Sequence, residues 1–349
     1  MEYCDGVNGA KRDHTLGLCL QTIQFIQPKW AWDILTPLLI YFGVIEDIEK
    51  TESPLILSIK RGILAKQRKE YHKADLILHS ALKMAQDLSY TDAETYIFDV
   101  LADNCFEKKD YKKAQNLYLE VISRLSMKED FSYDSEELVE LSIKLAYCYS
   151  QLGQFEAAEK GFQFSIDTQI IRTNKFWNDK LSKVIVIDTE DNANKLDEIQ
   201  TNSLALLGMS YDYYSKHLEQ SSDSLRFALA YRLKALQISK VVNGVQHEQT
   251  YLLENDVANL YVQMGNYDQA KRHLRNAIDG AKESESEELA VYYLNMASLH
   301  YHQNRFDLAK PYCRKSLEFL LNSNTEISAK EHKMLMNKSE LCLNGKEFI

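Results

Sequence analysis

Ala258-Asn-Leu-Tyr-Val-Gln-Met-Gly-Asn-Tyr-Asp-Gln-Ala270-Lys-Arg-His-Leu-Arg-Asn-Ala277 is the stretch that decides how this chain folds. Alanines stand at 258, 270 and 277, Tyr267 precedes the middle one by three positions, and Gln263-Met-Gly-Asn266 is a helix breaker between the first two. Residues 270 and 277 are nearly two helical turns apart and share a face. Small side chains on both sides of a short turn let two antiparallel helices approach closely, so the stretch predicts a helical hairpin.

The same spacing returns along the chain. An aromatic and an alanine three positions apart recur as Tyr71 and Ala74, Tyr111 and Ala114, Phe155 and Ala158, and Phe306 and Ala309. Gly62, Ala102, Ala146 and Ala297 precede these alanines, while Ala81, Val121, Ser165 and Ser316 follow them, in the register of the first example. A degenerate copy has Gly208 on its first helix and Ala228 and Ala235 on its second. The alanines at 74, 114, 158, 228, 270 and 309 recur about every 40 residues, except for the long step from 158 to 228. That step predicts an insertion near 168–197, where polar and charged residues crowd.

A period near 40 also suits HEAT or armadillo units; the paired small residues favour tetratricopeptide repeats with lengthened helices and resemble the 42-residue kind of kinesin light chains. The expected fold is all-α: a tetratricopeptide-repeat helical-hairpin superhelix of about six long (~42-residue) repeats. The expected division is an N-terminal segment 1–50, a solenoid over 51–325 and a C-terminal helix or tail over 326–349. A lone hairpin cannot bury its apolar face, so stability must come from stacking. Tyr118, Tyr149, Phe162, Tyr211 and Tyr261 read as core filler.

Bulk composition agrees. The chain has 349 residues, 45% of them hydrophobic and 26% charged, with four prolines absent between Pro54 and Pro311, so long helices are permitted. A net charge of −10 argues against a nucleic-acid partner. The six cysteines are scattered without CxxC spacing and suit reduced thiols in a core. The apolar window Ile34–Ile45 is too short to span a bilayer and contains Pro37. For residues 16–45 two readings stand, a packed N-terminal helix and a membrane-contacting segment, with Trp30 and Trp32 as interfacial aromatics.

Motifs for chemistry are sparse. His247-Glu-Gln-Thr-Tyr251 starts like a zinc-protease helix but puts Tyr where the second ligand belongs. His300 and His302 point to different sides of a helix, and no phosphate loop, dinucleotide fingerprint or nucleophile elbow occurs. No catalytic residue, metal or cofactor is expected. First helices of such hairpins line a concave groove. Counting from each small residue places there Lys60 and Lys66, Asp99 and Asp103, Lys144 and Tyr147, Asp212 and Tyr213, Asn255, Asn259 and Gln263, and Asn295, Tyr301 and His302.

Asn259 and Asn295, with Asn255, are candidate grips for a peptide backbone, because a carboxamide both donates and accepts. Lys60 and Lys144 are candidates to meet acidic partner residues, and Tyr147, Tyr213 and Tyr301 complete the candidate surface. Lys60, Arg61, Lys66, Arg68, Lys69 and Lys73 read either as a solvated face or as a rest on anionic lipid.

The runs Ile59 to Leu88, Leu138 to Ala146, Leu206 to Met209 and Lys234 to Ser239 resemble the mitochondrial tetratricopeptide repeat protein 19 family, over roughly residues 40 to 320. The resemblance implies a non-catalytic scaffold at the mitochondrial inner membrane. It also implies a partner among respiratory complex III subunits, and a role in assembly and upkeep that includes clearing fragments of the Rieske subunit. Family members carry an import presequence and a membrane segment, whereas Glu2, Asp5 and Asp13 accompany Lys11 and Arg12 here. An incomplete start, a weak anchor in 16–45 and a different location all stay open. The competing reading is a cytosolic kinesin-light-chain-like cargo adaptor, which would normally bring a heptad coiled coil.

Overall fold

The computed structural model describes residues 53–129, 131–177, 197–220, 222–284, 286, 288–322 and 329–343. The segments 1–50 and 16–45 and most of the expected insertion lie outside the described residues.

Thirteen α-helices and one short 3-10 turn make up the described chain, with no strand among the described residues. They form six hairpins, A helix first: α1 (Pro54–Gln67) with α2 (Tyr71–Asp87), α3 (Thr91–Glu107) with α4 (Tyr111–Ser126), and α5 (Glu136–Gln151) with α6 (Phe155–Trp177). Then follow α7 (Glu198–Leu218) with α8 (Leu225–Val242), α9 (Glu248–Gln263) with α10 (Tyr267–Glu283), and α11 (Leu289–His302) with α12 (Phe306–Asn322). Helix α13 (Ala329–Leu343) packs on α12 and α11 at the end of the stack. Helix α6 runs to Trp177, through the start of the stretch read as an insertion.

The small residues do what their spacing requires. Ala74, Ala102, Ala114, Ala158, Ala258, Ala270, Ala277, Ala297 and Ala309 have no exposed surface. A Cβ on Gly62 would lie 2.6 Å from Leu78 of the paired helix, and one on Gly161 would lie 2.8 Å from the Ala146 Cβ. Tyr118 and Phe162 fill the core with no exposed surface, each worth about 2–3 kcal/mol of transfer from water.

Five hairpin turns share one design. Lys69, Lys109, Gly153, Gly265 and Asn304 sit at the same register and all have φ between 58° and 74°. The next residue donates its N–H back to the carbonyl five residues earlier: Glu70 to Ala65, Asp110 to Cys105, Gln154 to Tyr149, Asn266 to Tyr261 and Arg305 to His300, at 2.8–2.9 Å. This is the Schellman closure, which prefers glycine or asparagine at the left-handed residue. At Lys69 and Lys109 the register imposes that conformation on a residue without the preference.

Each B helix also packs on the following A helix, and successive A helices touch at α1–α3, α5–α7, α9–α11 and α11–α13. Successive B helices do not pack to that extent, so the A helices lie on the inside of the curve. The cysteines divide. Cys105 and Cys148 are buried free thiols as expected, but Cys313 of α12 is disulfide-bonded, which corrects the reading of an all-thiol set.

Candidate peptide-binding surface

The inner surface is assembled by side chains that reach from one A helix to the next. At its N-terminal end, Lys66 of α1 lies 3.5 Å from Asp103 of α3 and 3.5 Å from Glu107. Lys144 of α5 lies 2.8 Å from Asp103 and 2.8 Å from Glu140. The Tyr118 hydroxyl donates to Asp103 at 2.7 Å. Burial alone would raise the Asp103 pKa, but Lys144 and Lys66 more than offset it and hold the carboxyl below the usual range. Its neighbour Asp99 is pushed up to about 8, by burial first and by the Asp103 charge second. One chain of ions thus ties repeats 1, 2 and 3 together.

This geometry revises two expectations. Lys144, read as free to meet acidic partner residues, is engaged by two internal carboxylates with its side chain 12% exposed. Lys66, read as part of the basic cluster from 60 to 73, turns inward, and Lys73 pairs with Glu70 at 2.7 Å, while Arg61, Arg68 and Lys69 stay exposed. Lys60 is half-buried on α1.

In the middle of the curve, rings from three A helices meet. Tyr147 of α5 lies 5.0 Å from Tyr213 of α7 and 5.5 Å from Phe106 of α3, and Phe106 lies 6.0 Å from Tyr213. Tyr111 of α4 packs edge-on against Phe106 and Tyr147 at 5.9 and 5.8 Å. All four are half-buried. Tyr147 and Tyr213 were legible as inner-surface residues, whereas Phe106 belongs to the site by its reach from α3.

Below the rings lies a second ionic knot. Arg232 of α8, 1% exposed, bonds Asp212 of α7 at 2.7 Å, Asp256 of α9 at 2.6 Å and also Glu219, while Lys216 bonds Asp212 at 2.8 Å. Sequence reading missed Arg232, although a signal was present. It stands four residues after Ala228 and three before Ala235, on the packing face of a B helix, where an arginine demands carboxylate partners.

The C-terminal end is neutral. Asn295 of α11 donates from Nδ2 to the Asn255 Oδ1 of α9 at 2.7 Å. Asn259, one turn further along α9, is half-buried and makes no hydrogen bond among the described residues. The carboxamide pair is therefore Asn255 with Asn295, and Asn259 retains both donor and acceptor. Tyr301 packs against Phe306 at 4.8 Å.

One constellation looks catalytic. Ser150 Oγ lies 2.8 Å from His217 Nδ1, and His217 Nε2 lies 3.6 Å from Glu159. Yet Ser150 is 1% exposed and accepts a second hydrogen bond from Gln220 at 2.6 Å, which ties its oxygen into the α5–α7 contact. Burial lowers the His217 pKa and pushes the Cys148 thiol up to about 12, so neither is primed as a charged or nucleophilic group. The ring of His247 caps α9, accepting the Gln249 N–H at 3.1 Å.

Stacked hairpins with a polar inner surface define a tetratricopeptide-repeat protein, a scaffold that binds other proteins. The tetratricopeptide repeat family model matches residues 251–322, and solved repeat structures superpose on the chain. BtubC (BKLC) of P. vanneervenii matches with a TM-score of 0.50 and 14% identity over 78% of this chain and 95% of that one. A signal transduction ATPase with a tetratricopeptide repeat sensor from Pyrococcus horikoshii matches with 0.53 and 18%, over 82% and 38%. Both show the fold alone.

Within that class, the chain is similar to tetratricopeptide repeat protein 19, mitochondrial, of Homo sapiens, at 29% identity over 80% of this chain and 70% of the relative. The mitochondrial homologue of that protein in Drosophila melanogaster is 24% identical over 91% and 80%. The resemblance read from residues 40 to 320 is thereby borne out. No described helix is long and apolar enough to cross a membrane.

Proposed function

We propose that the chain is a scaffold of the mitochondrial inner membrane that supports assembly and upkeep of respiratory complex III. In this reading its groove holds an extended segment of a complex III subunit, with clearance of Rieske fragments as one outcome. The likeness to relatives named as mitochondrial supports the compartment, and the class of partner rests on the family resemblance read in the sequence. The observation that carries the groove reading is the inner-surface carboxamide set, in which Asn255 and Asn295 hold each other and Asn259 is left with both hydrogen-bonding functions unused. A carboxamide so placed can pair with a peptide group without reading its side chain.

Fractionation followed by affinity purification tests the reading. Co-purification with complex III subunits from a mitochondrial membrane fraction is expected, and Asn259→Ala should weaken that capture at unchanged helicity and melting temperature. Motor subunits in a cytosolic pool would instead point to a cargo adaptor. Capture at full strength by Asn259→Ala would move docking to the outer, B-helix face.

A further inference from the structure

We propose that the rings of Phe106, Tyr147 and Tyr213, with Glu107 on one flank and Glu219 and Asp256 on the other, seat an arginine or lysine side chain from an extended basic segment of a partner protein. This rests on the groove reading and adds the chemistry of what the groove takes.

Two observations converge on a cation. The ring cluster already holds one: Lys216 Nζ lies 5.0 Å from the Tyr213 ring centroid, which shows that this surface accepts a positive charge. Charge on the inner surface is also unbalanced. Lys66, Lys144, Lys216 and Arg232 are all engaged, and they face six carboxyl groups, Asp103, Glu107, Glu140, Asp212, Glu219 and Asp256, with Asp99 left out because it holds its proton.

Burial raises the pKa of Glu107, Glu219 and Asp256, and the lysine or arginine beside each does not reverse it. Glu107 and Asp256 remain reachable, with side chains 42% and 34% exposed. An acidic segment would be repelled here. A bare metal ion is not favoured either, because no group of three or more described His, Cys, Asp or Glu residues is placed to ligate one. A guanidinium suits the surface best: it stacks flat on aromatic rings and bonds carboxylates with a planar fork.

The test uses the full chain and two fluorescein-labelled peptides of about a dozen residues, one alternating arginine with serine and the other glutamate with serine. The arginine peptide should bind, and the glutamate peptide should not. Glu107→Gln with Asp256→Asn should weaken arginine-peptide binding about tenfold, consistent with the loss of two charge-assisted contacts. Glu156→Gln with Asp279→Asn, the same charge change on exposed B-helix positions, should leave binding unchanged. Lys216→Gln removes the resident cation and should tighten binding severalfold, so the proposal does not hang on a loss that misfolding could mimic. Equal binding of both peptides, equal weakening by the two double variants, or weakening by Lys216→Gln would each overturn it. If the seat fails while Asn259→Ala still lowers capture of complex III subunits, the groove reading survives without it.

Discussion

Repeats 1 to 3 and repeats 5 and 6 solve the same problem with different chemistry. In both regions a side chain on one A helix must meet one on the next, to set how tightly the solenoid curls. The N-terminal region uses Lys66, Asp103 and Lys144, an alternating row of charges with little access to water. The C-terminal region uses Asn255 and Asn295, a neutral pair joined by one hydrogen bond. The ionic row is specific but engages its members fully, because a buried charge without its partner is costly. The amide pair leaves hydrogen-bonding capacity over, and Asn259 beside it has all of its own. The first region is therefore built to hold the superhelix in shape, and the second to meet something else.

The sharpest way to break this contrast is Lys144→Met. Removing that ammonium strands Asp103 and Glu140 in a dry site, and the chain should lose about 3–5 kcal/mol in urea denaturation. Asn295→Ala should lose only about 0.5–1.5 kcal/mol, since one neutral hydrogen bond goes and the Asn255 amide is half rehydrated. Equal losses would erase the distinction between the regions.

A pH series sharpens it further. Asp99 holds its proton up to about pH 8 against an ordinary 3.8, so the stability it contributes is complete below 3.8 and is lost as pH rises through 8. Asp103 behaves oppositely: its pKa is depressed, so its contribution is present above 3.8 and disappears in acid. Asp99→Asn, which mimics the protonated carboxyl, should change stability little at about pH 4 and stabilise the chain progressively more as pH rises towards about 8, where the difference levels off. A variant as pH-dependent as the parent would show that Asp99 is not the group that titrates.

The smallest expected effects are at the turns. Lys69→Gly and Lys109→Gly should each stabilise by about 0.5–1 kcal/mol, because both residues occupy a conformation that glycine adopts without strain. Thermal melts of the two single variants measure this directly.

These same turns show what could be read before any coordinates. The register of small residues placed all six hairpins, since close helix approach leaves a mark at every repeat, from Gly62 against Leu78 to Ala297. Gly153 and Gly265 announced their turns by residue type, but Lys69 and Lys109 take the same conformation with no such signal. Inner-surface positions were legible too, because they follow from counting along a helix. What each residue does there was not. Lys144 looked like a free cation because its partner Asp103 lies a whole repeat away, and pairing across repeats depends on superhelical curl rather than on local spacing. Arg232 was passed over because it sits on a B helix, and Phe106 because its contact with Tyr213 skips a repeat.

The central claim is that a partner segment lies along the A helices. A photo-crosslinking amino acid placed singly at Asn259 on the inner surface, or at Phe227 on the outer one, where the native side chain is 65% exposed, tests it most directly. A partner crosslink from position 259 and none from 227 is the expected result; crosslinking from 227 alone would contradict a segment lying along the A helices.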